Sequence, residues 1–274
     1  MNIGVIGTGN MGTLLIDSFV DAHTIEPSCF NIINRTLSKA YDLKKKYPSI
    51  HIAASIEELI IQSNIIFICV KPHEIYPILK QHRTLFTKEK CLVSITSPVE
   101  VSQLESVVSS HVARIIPSIT NRALSGISLF TFGGSCSKEW RTILYALFQS
   151  ISTPIEIEEN VTRVASDIVS CGPAFFSYLL QQFIHAAVSE TDITHEQATT
   201  LASGMLIGMG ALLEKKYFSL PSLQQKVCVK GGITGEGIKI MENELGDMFK
   251  HLFNRTHAKY EEDRQEIIKQ FKRS

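Results

Sequence analysis

The pattern of apolar and polar positions divides the chain in two. From residue 2 to about residue 157, short β-branched runs alternate with stretches whose apolar residues recur every three or four positions. That alternation is expected of a parallel sheet covered by helices. The predicted strands are Asn2–Ile6, Phe30–Ile33, His51–Ala53, Ile65–Val70, Leu92–Ile95, Val112–Ile116, Ile127–Phe132 and Ile155–Ile157. Their nearly unbroken apolar character, clearest in Ile65-Ile66-Phe67-Ile68-Cys69-Val70, suits strands buried on both faces. Ser55-Ile56-Glu57-Glu58 has the spacing of a capping box, and Pro48 closes the basic helix before it. After about Asn160 the strand signals stop, and Pro173–Ser189 and His195–Tyr217 carry apolar residues at helical spacing. The expectation is an α/β Rossmann domain with a doubly wound, mostly parallel sheet over residues 1–159. An all-helical domain over residues 160–274 follows. No linker rich in Pro, Gly or Ser separates them, so the two are expected to share a helix.

Composition narrows the partners. The chain has 274 residues, 44% of them hydrophobic, which is ample for packed cores. Lysine plus arginine equals aspartate plus glutamate at 27 each, so no global field draws it to nucleic acid or to an anionic membrane. A small molecule held in a pocket is the expected partner. The six cysteines (Cys29, Cys69, Cys91, Cys136, Cys171, Cys228) are scattered, with no C-x-x-C pair and no histidine at metal-ligand spacing. They are read as reduced, mostly buried thiols, and no metal is expected. The chain starts almost directly in an apolar strand without the marks of a signal peptide, and no apolar run approaches the ~20 residues of a membrane span. The cytoplasm is the expected compartment.

The chemistry starts at the end of the first strand, where Gly7-Thr8-Gly9-Asn10-Met11-Gly12 forms a G-x-G-x-x-G fingerprint before an apolar helical pattern. The first glycine allows the tight turn and the second lets the backbone approach a pyrophosphate. The third lets helix and strand pack closely, with the helix N-terminus facing the phosphates. An NAD site would carry Asp or Glu at the end of the second strand; here that strand ends Ile33-Asn34-Arg35-Thr36. A guanidinium and two neutral hydrogen-bonding side chains suit a 2′-phosphate, so NADPH is the expected cofactor. Val70-Lys71-Pro72 and Ser94-Ile95-Thr96-Ser97-Pro98 follow the fourth and fifth strands, where open α/β sheets bind ligands. Lys71 is read either as part of the wall beside the nicotinamide ribose or as an ordinary surface lysine.

Taken in order, these motifs resemble the pyrroline-5-carboxylate reductase family, and in particular its divergent late-competence branch in bacilli. The resemblance rests on Ile6–Gly12, Asn34-Arg35-Thr36, Val70-Lys71-Pro72, Arg114-Ile115-Ile116-Pro117, Cys171-Gly172-Pro173-Ala174-Phe175 and Gly231-Gly232-Ile233-Thr234, and it covers nearly the whole chain. It implies reduction of the cyclic imine 1-pyrroline-5-carboxylate to L-proline with NADPH. In that family hydride passes to the imine carbon, and the substrate carboxylate rests on backbone amides of the Gly-Gly loop. A threonine hydroxyl polarises or protonates the imine nitrogen. By resemblance these roles fall to Gly231, Gly232 and Thr234, with Lys230 and Ile233 beside them. The helical domains of the family interlock in pairs, so a homodimer is implied, and larger assemblies of dimers also occur.

The chain departs from the family pattern around the substrate. Ser118 stands where the family has asparagine after the sixth strand, and Cys171 where it has serine. Val229-Lys230 replaces Ser-Pro before the Gly-Gly loop, and Thr96-Ser97 replaces Ala-Gly. Another cyclic imine as substrate, or an NADP-binding regulatory role with little turnover, therefore stays open. A β-hydroxyacid dehydrogenase shares the opening fingerprint but carries a catalytic lysine in the interdomain helix, and Ser170–Ser189 contains no lysine. Gly204 and Gly208 allow close approach of another helix near a dimer interface. The charged stretch Lys259–Glu266 reads as a solvated final helix. His185, His195, His251 and His257 have no partner visible in the sequence and are left unassigned.

Overall fold

The computed structural model describes residues 1–272. Eight strands form one sheet in the order β3-β2-β1-β4-β5-β6-β7-β8. They are β1 (Ile3–Ile6), β2 (Phe30–Ile33), β3 (His51–Ile52), β4 (Ile65–Ile68), β5 (Cys91–Ser94), β6 (His111–Ile116), β7 (Ile127–Phe132) and β8 (Thr153–Glu156). All pairings are parallel except β6 with β7, which gives the expected mostly parallel, doubly wound Rossmann sheet. The order turns back at β1 and β4, the place where such sheets open a crevice at their carboxyl ends.

The helices in chain order are α1 (Asn10–Asp21), α2 (Leu37–Lys46), α3 (Ile56–Gln62), α4 (Pro72–His82), α5 (Val101–Glu105), α6 (Lys138–Gln149), α7 (Thr162–Ser166), α8 (Gly172–Glu190), α9 (His195–Glu214), α10 (Leu220–Val227), α11 (Ile233–Leu245) and α12 (Met248–Lys272). The capping box at Ser55 is half made: Ser55 Oγ accepts the Glu58 N–H at 3.1 Å, but the Glu58 carboxylate accepts from Ala54, one residue before the N-cap. α2 ends at Lys46, two residues before Pro48.

The chain folds as two compact units, Met1–Pro173 with Arg255–Ser274, and Ala174–Asn254. The boundary expected at residue 160 does not coincide with them, for two reasons of packing. Residues 160–173 are bound to the sheet by a buried network: Arg114 on β6, fully buried, donates to Glu159 Oε1 at 2.7 Å, Glu159 Oε2 at 3.0 Å and Thr162 Oγ1 at 2.6 Å. The end of α12 returns as well. Ile267 and Phe271 are buried in the same core cluster as Ile75, Leu79 and Phe86, and Phe271 packs on Tyr76 with ring centroids 4.8 Å apart. The final helix is therefore not simply solvated: beyond its charged stretch, apolar residues four apart form a buried stripe, and Arg264 binds Glu100. The stretch Thr162–Glu190 is helical throughout, with a π turn at Asp167–Cys171.

The first unit has a large core on both faces of the sheet, including a cluster of Phe19, Phe67, Phe130 and Phe148. The second unit buries only Ile184, Ala198 and Ala202 in its own core and leaves Phe176, Phe183, Leu201, Ile207 and Met241 more than half exposed. All six cysteines are free; Cys91 and Cys136 are buried, and the other four are only partly so. Among the described residues no helix is long and apolar enough to cross a membrane.

Candidate cofactor and substrate sites

The fingerprint glycines are positioned by distinct constraints. Gly7 has φ +101°, and a Cβ there would lie 2.7 Å from the Cys69 carbonyl oxygen. A Cβ on Gly12 would lie 2.1 Å from the Gly7 carbonyl oxygen, so α1 meets β1 only because that carbon is missing. A Cβ on Gly9 would meet nothing within 4 Å, because this backbone faces the open cleft. α1 starts on Gly9 with no side-chain cap and no acidic residue in its first turn, which leaves its leading amides and its positive dipole end to an anion. The loop fits a dinucleotide pyrophosphate.

A cleft of about 740 Å³ opens at the ends of β1, β2 and β4. It gathers Gly7, Gly9, Asn34, Arg35, Thr36, Val70 and Lys71, all cofactor-site candidates from the sequence, at one place. Thr8 and Asn10 line a second depression on the other side of the loop, while Met11, Gly12 and Pro72 line neither. Asn34 acts on the chain itself: its Oδ1 accepts the Thr8 N–H at 2.9 Å and its Nδ2 donates to the Thr36 carbonyl at 2.9 Å. It is a strap that holds the glycine loop to the end of β2, rather than the free neutral donor that the sequence suggested.

Sequence reasoning missed Lys39, His73, Glu74 and Cys69 on the cleft wall. Lys39 lies three residues past Thr36 in the first turn of α2, and Glu74 holds the N3 position of α4, so helix-start patterns carried the signal. The β2 end itself has no acid, as expected, but the fold brings one from α4: Glu74 Oε1 lies 2.5 Å from Arg35 Nη1. Burial pushes the Cys69 thiol far up, so this wall residue is a neutral thiol and no nucleophile.

Ser118 is not a shortened ligand arm. It is buried, donates to the Val169 carbonyl at 2.8 Å, and accepts from Thr120 while capping a short helix. Cys171 lies 3.4 Å from Arg163 Nη2, and Arg163 pairs with the buried Asp167 at 2.9 Å. Asp167 also accepts from Thr256 at 2.7 Å and lies 3.8 Å from His257, which gives that histidine a structural neighbour.

The substrate-loop residues belong to the second unit. Gly231 takes φ +75°, and Gly232 is the N-cap of α11. The Gly232 N–H already donates to the Val229 carbonyl at 2.9 Å, so it does not stand ready for a carboxylate. The next amides along the chain, the first of α11, are capped by no side chain. A Cβ on Gly232 would lie 2.8 Å from the Val229 side chain, which accounts for the second glycine. Lys230 and Ile233 are exposed, Ile233 at 94%. Thr234 lines an apolar groove of about 920 Å³ together with Met205, Gly208, Leu220, Val227 and Met241.

Two family models match in order along the chain: "NADP oxidoreductase coenzyme F420-dependent" over residues 2–98 and "Pyrroline-5-carboxylate reductase dimerisation" over residues 159–263. ComE operon protein 4 of Bacillus subtilis (strain 168) is 54% identical over 271 residues, covering 99% of each chain. Pyrroline-5-carboxylate reductase 3 of the same organism is 29% identical, covering 98% of each. The solved pyrroline carboxylate reductase of Plasmodium falciparum, with NADP bound, shares the fold at a TM-score of 0.82 and 22% identity, covering 97% of both chains. NADP(H) is the cofactor of this group of oxidoreductases, and the open face at Gly9, the uncapped start of α1 and the cations of the cleft fit its phosphates. A phosphate cradle of that kind at one end of the chain and a reductase dimerisation unit at the other place it: the chain belongs to the pyrroline-5-carboxylate reductase family.

Proposed function

We propose that the chain reduces 1-pyrroline-5-carboxylate to L-proline with NADPH as cofactor, in the cytoplasm. The observation that carries this reading is the presence in one chain of two features. One is a dinucleotide cleft lined by Arg35, Lys39 and Lys71; the other is a helix start opened by two glycines and followed directly by Ile233 and Thr234. NADPH, when bound, supplies the hydride that the imine carbon accepts. The first amides of α11 hold the substrate carboxylate, where the helix dipole favours it. The Thr234 hydroxyl donates to the imine nitrogen as that atom gains its proton. A protonated imine is already electrophilic, so orientation and a dry pocket contribute more than a strong acid would.

The same reading takes the helical unit as the interface of a homodimer. Its small core and its exposed Phe176, Phe183, Leu201 and Ile207 support this. So do Gly204 and Gly208, whose missing Cβ atoms face nothing within 4 Å in this chain and leave room for a helix of a second copy. An NADP-binding regulatory role is favoured at one point, the Ser118 hydroxyl, which is tied to the Val169 carbonyl where the family pattern has asparagine.

Steady-state kinetics with pyrroline-5-carboxylate, followed by NADPH consumption, tests both readings. Wild-type chain is expected to turn over, and Thr234→Val is expected to lose roughly ten- to a hundredfold in kcat, at or below the low end of general acid assistance, with NADPH affinity unchanged. Unaltered kcat in Thr234→Val removes the threonine from the mechanism. Wild-type protein that binds NADPH without turning over supports the regulatory reading.

A further inference from the structure

The cofactor cleft holds one feature that the proposed reaction does not use: a carboxylate on the very guanidinium that a 2′-phosphate needs. Arg35 lies in the turn after β2 and Glu74 in the first turn of α4, 39 residues apart, and both line the cleft. Their side chains meet at 2.5 Å. The second oxygen of Glu74 accepts the Lys71 backbone N–H at 3.2 Å, which anchors the acid at the head of its helix. The Glu74 side chain is 26% exposed, against 84% for Arg35. The acid is thus the fixed partner, and the guanidinium is the one that reaches across.

We infer that Glu74 is a specificity-determining residue that holds Arg35 until the 2′-phosphate of NADPH takes its place. The inference rests on the reading of this cleft as the cofactor site. A guanidinium offers one planar fork to an anion, so carboxylate and phosphate compete for it, and close to each other they repel. Lys39 and Lys71 line the same cleft and favour the more highly charged phosphate, so the exchange runs toward NADPH. NADH brings no anion to that position and leaves the Arg35–Glu74 pair intact. Glu74 therefore weakens NADPH binding without touching NADH binding, and narrows the preference that Arg35 creates.

The test is Glu74→Gln in the full-length chain, titrated with NADPH and with NADH by cofactor fluorescence. Glutamine serves the N3 position of a helix as glutamate does, so the variant loses the charge and keeps the cap. NADPH binding is expected to tighten roughly two- to fivefold, the scale of a surface ion pair, and NADH binding to stay unchanged. The gain should shrink as salt is raised and again in an Arg35→Ala background, where no guanidinium is left to release. Glu74→Asp, whose shorter side chain reaches less far, should fall between wild type and Glu74→Gln. NADPH affinity that is unchanged or weaker in Glu74→Gln, or both cofactors tightening alike, overturns the role of Glu74. Wild-type chain that prefers NADPH while Glu74→Gln changes nothing overturns this inference alone, whereas wild-type chain that binds neither cofactor overturns the cofactor reading as well.

Discussion

Gly9→Ala is expected to abolish most NADPH binding while leaving the fold untouched, and Gly12→Ala to damage both. A Cβ on Gly9 meets no protein atom within 4 Å, so the folded chain accommodates it, but the added methyl occupies the surface that a pyrophosphate must approach. Loss of charge-assisted bonds to backbone amides, at ~1.5–3 kcal/mol each, predicts an affinity loss of roughly ten- to a hundredfold. A Cβ on Gly12 would lie 2.1 Å from the Gly7 carbonyl oxygen, a backbone atom that cannot swing aside. α1 must then move from β1, at an overpacking cost of about 1–3 kcal/mol or more. Thermal melts and NADPH titrations of the two variants separate the effects. If Gly9→Ala binds like wild type, the phosphates do not lie where the glycine loop puts them.

Glu159→Ala should produce the largest loss of stability. Arg114 is fully buried, and its guanidinium is neutralised by this one carboxylate; Thr131, Thr162 and the carbonyls of Ser97 and Val99 accept from its two terminal nitrogens, while Nε is left without a partner. Removing one member of a buried pair leaves an uncompensated charge and costs about 3–5 kcal/mol; because the Glu159 side chain is 36% exposed, the low end applies. Denaturant unfolding should show that loss. A double variant, Arg114→Met with Glu159→Ala, should recover part of it, since an apolar side chain of similar volume needs no partner. A Glu159→Ala chain as stable as wild type would show that the remaining oxygens satisfy Arg114 unaided.

What the sequence made legible is what depends on neighbours along the chain. The eight strands, the turn at Gly7–Gly12 and the long helices after residue 170 are each set by local period or by a glycine requirement within a few residues. What it hid depends on partners brought together by folding. Arg35 reads as a free phosphate-binding cation until α4 delivers Glu74 to it, and Arg114 reads as a motif residue until Glu159, 45 residues on, closes over it. The return of α12 is carried by Ile267 and Phe271, two apolar residues outweighed in the pattern by the charges before them, and by Arg264 and Thr256, whose partners Glu100 and Asp167 lie far off along the chain. At the Gly-Gly loop the residue types suggest an anion site, but that the Gly232 N–H is already committed to the Val229 carbonyl is visible only in the fold.

The proposed reaction delivers hydride to a cyclic C=N bond. The most direct measurement is a single-turnover reaction of the purified protein with pyrroline-5-carboxylate and NADPH dideuterated at nicotinamide C4, with the product analysed by mass spectrometry. The expected product is proline carrying one deuterium at the former imine carbon. Intact labelled NADPH with unreacted imine, under conditions where the cofactor is shown to be bound, would contradict it.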